Sequence, residues 1–148
     1  MNLEATIQAD LMTAMRAKDE IGLRGIRAIK SAIQLQKTDG SGQALTEELE
    51  LKLLQKLVKT RKESIAIFEQ NNRPELAKIE KEEVAIIEKY LPQQMDEAGI
   101  EAVVKNIIAE TGATSIKDMG KVIGAASKQL AGQAEGAVIS GIVKRLLA

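Results

Sequence analysis

Apolar residues along this chain recur every three to four positions and nowhere alternate over a useful length, which predicts amphipathic helices and no strands. Leu3, Ile7, Leu11, Ala14 and Met15 trace the inner stripe of a first helix. Asp19 and Glu20 supply a cap and an acidic first turn for a second, whose stripe is Leu23, Ile26, Ile29 and Ile33. Arg24 and Arg27 lie on its outer flank. Thr38-Asp39-Gly40-Ser41-Gly42 reads as a mobile loop. Thr46 then caps a long third helix with Leu53, Leu54, Leu57, Val58, Ile65 and Phe68 inside and Lys52, Lys56 and Lys59 outside.

Arg61 breaks that division, because it projects from the middle of the apolar face. The next helix carries a matching exception. Pro74 suits its first turn, Pro92 ends it, and Leu76, Ile79, Ile86, Ile87 and Tyr90 form one face. Glu80 and Glu83 fall within that face. The turn Gln70–Arg73 is short, so the two helices are expected as antiparallel neighbours. We therefore expect a partly buried, bidentate, structural ion pair between Arg61 and Glu83 or Glu80. In the competing arrangement all three side chains stretch to the rim. Acid–base work by the two carboxylates is the sharper alternative, but no nucleophile or metal motif lies near them.

Beyond Pro92 the texture changes, since seven of the eleven glycines lie from Gly99 onward. Asp96 caps a helix with Ile100, Val103, Val104, Ile107 and Ile108 inside, and Gly112 stops it. Ser115 and Asp118 have the spacing of a capping box. Met119, Val122, Ile123, Ala126 and Leu130 line the following helix. Gly132–Gly136 is a turn, and Val138, Ile139, Ile142, Val143 and Leu146 line the last helix, with Lys144 and Arg145 at its cation-favouring end. The expected fold is all-α: an N-terminal antiparallel unit of about four helices over residues 1–92, and a small three-helix bundle over residues 93–148.

Composition narrows the chemistry. The 148 residues include no His, no Cys, one Tyr and one Phe, and carry a formal net charge of zero. An imidazole or thiol nucleophile, a Ser-His-Asp triad and a thiolate or imidazole zinc site are therefore excluded. No Walker-type phosphate loop occurs, and Gly40-Ser41-Gly42 lacks the third glycine of a dinucleotide fingerprint. No catalytic residue, cofactor or metal is expected. Without a long apolar run or a leader-like start, and without cysteine, the expected setting is cytoplasmic and away from membranes.

One surface stands out. Lys117, Lys121 and Lys128 share a narrow sector, with Gly120 and Gly124 beside them. Lysines offer charge to phosphates, and glycines let another backbone come close. The plainer alternative is that the glycines serve helix packing and the lysines are simply solvated. With so few aromatic residues, stacking on single strands is not available, so a folded RNA recognised by its backbone fits better.

These residues resemble the GatB/YqeY family over the full length. The likeness rests on Leu23-Arg24, Arg61–Ile65, Arg73–Leu76 with Glu80 and Glu83, Tyr90-Leu91-Pro92, Asp118–Val122 and the turn from Gly132 to Gly136. It implies an all-helical protein similar to the tail of the tRNA amidotransferase B subunit, a tail associated with recognising folded tRNA. The domain for transfer chemistry is absent here. Glutamine-dependent carbon–nitrogen ligase activity would then come only as part of a larger assembly. The implied RNA-facing region lies near Gly120, Lys121, Gly132 and Gly136, although Gln133 and Glu135 stand where members often show Arg and Asp. Three readings follow: a non-catalytic adaptor contacting tRNA or a tRNA-modifying complex, a participant in amido transfer, or a purely protein-binding module.

Overall fold

The structure is a computed structural model that describes residues 2–39 and 44–148. Gly40, Ser41 and Gly42 of the expected loop lie outside the described residues. Seven α-helices and one short 3-10 turn make up the secondary structure, with no strand among the described residues. The chain divides into two compact units, Met1–Leu91 and Pro92–Ala148.

The first unit contains α1 (Leu3–Ala17), α2 (Glu20–Lys37), α3 (Glu47–Gln70) and α4 (Pro74–Glu88). Local chemistry sets the ends. Asn2, Asp19 and Thr46 each accept a hydrogen bond from a backbone N–H three residues on, satisfying donors that a helix start leaves unpaired. Tightened turns carry Lys89, Tyr90 and Leu91 from α4 towards Pro92. Leu3, Ile7, Ile29, Ile33, Leu54 and Ile87 are almost wholly buried and form the heart of an aliphatic core. Met15 and Ile79, expected inside, are 53% and 41% exposed. Each sits at the margin of its stripe, where no neighbouring helix covers it.

Two buried residues hold this unit in ways that a hydrophobic pattern hides. Gly25 faces α4 so closely that an added methyl group would lie 2.5 Å from Ile86 Cβ. The missing side chain is what lets α2 and α4 approach. Glu50, only 8% exposed, accepts a 2.6 Å hydrogen bond from the Leu3 N–H. This carboxylate meets the positive end of α1, which compensates for its burial.

The second unit contains α5 (Glu97–Thr111), the 3-10 turn Ile116–Asp118, α6 (Met119–Gln129) and α7 (Gly136–Leu147). Each of its helices packs against the other two. Ile100, Val104, Val122, Ala126, Ile139 and Val143 are buried at their meeting point. Asp96 caps α5 by accepting from the Gly99 N–H at 2.8 Å, and Gly112 ends it with a left-handed φ of 68°. Val138, expected inside, is 41% exposed.

Candidate functional site

The site is built on α6 and its approach. The Ser115 side chain accepts from the Lys117 N–H, and Asp118 accepts from the Thr114 and Ser115 N–H groups. This capping box closes the 3-10 turn Ile116–Asp118, so α6 itself begins at Met119, one 3-10 turn later than the box predicts. Asp118 is the only acid between Ala113 and Ala134, and its carboxylate faces the turn's own backbone. Nothing local therefore neutralises Lys117, Lys121 or Lys128. All three are exposed, and none forms an ion pair among the described residues. At about 100° per residue, Lys121, Gly124 and Lys128 share a sector of about 60°.

The glycines beside them have no packing role within the second unit. A methyl group added at Gly120, Gly124, Gly136 or Gly141 would meet nothing within 4 Å. Gly120 and Gly124 on α6, and Gly136 and Gly141 on α7, are exposed. The packing alternative raised by the Gly-x-x-x-Gly spacing therefore fails for α6. Gly141 belongs to the same class, and its helical position gave the sequence no signal for it.

Gly132 is different and needs correcting as a surface residue. It is buried, with a left-handed φ of 78°, so its part is to turn the chain. Its carbonyl accepts a 2.6 Å hydrogen bond from Gln94 Nε2, which also donates to the Pro92 carbonyl at 2.9 Å. Gln133 Nε2 donates to the Gln93 carbonyl at 3.3 Å, and the Met95 N–H donates to the Gln133 carbonyl at 3.0 Å. Gln133 is thus bound into the turn.

In the first unit, Arg61 Nε donates to Glu83 Oε1 at 3.2 Å, each side chain being 17% exposed. The expected bidentate geometry is not formed, because Arg61 Nη1 donates instead to the Leu57 carbonyl one turn back. Glu80 pairs with neither arginine. Arg24, expected on a solvated flank, instead reaches α4, with Nη2 3.3 Å from Glu82 and Nη1 3.6 Å from Glu83. Glu83 therefore sits between two guanidinium groups. That leaves Arg24 committed to packing rather than to an outside partner. The Tyr90 hydroxyl donates to Asp10, and burial first, then this hydrogen bond and the Asp10 charge, push the phenol above its ordinary 10.0.

The comparisons with known proteins agree with the resemblance. The family described as Yqey-like protein matches residues 4–147. The chain is similar to "Altered inheritance of mitochondria protein 41, mitochondrial" of Lachancea thermotolerans, 39% identical over 108 residues, which is 72% of this chain and 58% of that protein. The protein of the same name from Clavispora lusitaniae is 34% identical over 129 residues, covering 86% of this chain and 74% of that protein. The one from Candida glabrata is 34% identical over 93 residues, covering 62% and 51%. The chain thus spans between about half and three quarters of these relatives. Their names overturn the cytoplasmic expectation, since each is called mitochondrial. Missing cysteine says only that no disulfide forms, and carries no address. No described helix is long and apolar enough to cross a membrane.

Proposed function

The chain belongs to the Yqey-like family, and from that premise we propose that it is a non-catalytic helical adaptor whose second unit contacts the phosphate backbone of a folded RNA such as tRNA. One observation carries this reading: glycines that pack against nothing in their own unit stand beside three unneutralised lysines. Gly124 weakens α6, because glycine inside a helix is about 1 kcal/mol worse than alanine. Nothing inside that unit repays that loss, so the benefit is an outside surface that must come close. Lys117, Lys121 and Lys128 give that surface its sign, and phosphate oxygens match it. Gly136 extends the bare floor to the start of α7.

Amido transfer by the chain alone has less support. It needs a group that releases ammonia from glutamine, and the sequence holds neither a cysteine nor a Ser-His pair to do so. Participation in a larger assembly stays open to the adaptor, whose longer relatives carry residues beyond the matched region. A protein partner is favoured by one feature, the exposed side chains of Ile116 and Val138 in the same unit. The relatives' names support a mitochondrial rather than cytoplasmic setting.

Binding of total tRNA by the purified chain, measured across a salt series, tests the proposal. Affinity is expected to fall steeply with salt, and each of Lys117→Glu, Lys121→Glu and Lys128→Glu to flatten the log–log slope by about 1. Binding that ignores salt, or that survives all three changes together, would overturn it.

A further inference from the structure

The turn from Gly132 to Gly136 joins the two helices of the candidate surface, yet the segment that holds it comes from elsewhere in sequence. Residues 92–95 lie some forty positions earlier, and they cross-tie to it at both levels. Gln94 Nε2 bridges the Pro92 and Gly132 carbonyls, at 2.9 and 2.6 Å. Gln133 Nε2 returns the tie to the Gln93 carbonyl, and the Met95 N–H closes it on the Gln133 carbonyl. Within the turn itself, the Gln133 N–H donates to the Leu130 carbonyl at 2.8 Å. At the start of α7, Glu135 gives no side-chain cap, and only its carbonyl accepts from Val138 and Ile139. Leu130 ends α6 without glycine at the cap position.

Resting on the RNA reading above, we infer that Gln94 and Gln133 are positioning residues for that surface. They form a clasp that fixes the turn, and through it sets Lys128 at the end of α6 relative to Gly136 at the start of α7. The chemistry is specific to an amide. A carboxamide NH2 carries two donors, one for each carbonyl, while the carboxylate of a glutamate offers only acceptors and would face two carbonyl oxygens. Gln94 is itself exposed, so replacing it removes no core packing.

The test uses the full chain with Gln94→Glu, with Gln94→Met as a second, uncharged variant. Amide exchange of Met95, whose N–H closes the clasp, should quicken by about tenfold or more in both variants, the scale of one or two lost hydrogen bonds. In the uncharged Gln94→Met variant, affinity for total tRNA should drop by a similar factor at fixed salt, while the salt slope stays unchanged because no charge is added or removed. Far-ultraviolet circular dichroism of both variants should match the parent, which separates a loosened turn from an unfolded unit. Unchanged Met95 exchange would overturn the clasp itself. Fast exchange with parental affinity would overturn its positioning role and leave the RNA reading standing. If the unaltered chain does not bind tRNA, both fall together.

Discussion

Glu83 lies between Arg61 and Arg24, and the sharing makes a quantitative prediction. Removing Arg61 from a one-to-one buried pair would strand a carboxylate and cost about 3–5 kcal/mol. Here Arg24 Nη1 remains 3.6 Å from the same carboxylate, so Glu83 keeps a counter-charge. The loss from Arg61→Ala then reduces to one charge-assisted hydrogen bond and some packing, about 2 kcal/mol. Arg24 is more exposed, at 37% against 17% for Arg61, so Arg24→Ala should cost about 0.5–1 kcal/mol. The double variant strands Glu83 after all and should cost about 4–5 kcal/mol, worse than additive by about 1–2 kcal/mol. Glu83→Ala leaves two cations converging and should cost more than Arg61→Ala. Urea unfolding followed by tyrosine fluorescence suits the measurement. Tyr90 is the only tyrosine, there is no tryptophan, and Tyr90 packs on the core of the first unit, so the signal reports that unit alone. Additivity of Arg24→Ala and Arg61→Ala within about 0.5 kcal/mol would refute the shared arrangement.

Three further outcomes are expected. Gly25→Ala should destabilise the chain by about 1–2 kcal/mol in a urea melt, because overpacking against the branched Ile86 outweighs the gain in helix propensity; a neutral or stabilising result would mean that α2 and α4 have room to spare. Gly124→Ala should do the opposite, stabilising by about 0.5–1 kcal/mol while weakening tRNA binding, and destabilisation would return this glycine to a packing role. Tyr90→Phe should alter the alkaline side of the stability profile. The folded state holds the phenol proton more tightly than the unfolded chain, so this contribution is complete below pH 10.0 and lost as pH rises above it. Circular dichroism melts should therefore show a shallower alkaline decline in the phenylalanine variant, and equal slopes would refute the reasoning.

The all-helical class and many helix ends were legible because they are local. Asp19, Thr46 and Asp96 act within three residues of themselves, and Gly112 acts through its own φ. Stripe margins were less legible. Periodicity gives the direction of Met15, Ile79 and Val138 but not how far a neighbouring helix extends over them. Contacts distant in sequence were hidden altogether. Arg24 meets Glu82 across 58 positions, and Glu50 meets Leu3 across 47. By pattern alone the first is a solvated flank and the second an ordinary acid in a first helical turn. Compartment was not legible, since composition contains no address.

Helical glycines fall into two physical classes in this chain, and the sequence could not separate them. Gly25 sits in a helix of the first unit and is filled to contact by Ile86, so its worth is internal and should appear as stability. Gly124 and Gly141 sit inside helices of the second unit, where a methyl group would meet nothing, so they lower stability with no return inside that unit. A fold under no other demand would replace the second group with alanine and keep the first. On the adaptor reading proposed above, glycine at a site that folding does not require serves a demand from outside the chain. The positive charge beside Gly120 and Gly124 gives that demand a chemical direction, towards an anionic backbone brought within reach of the α6 main chain.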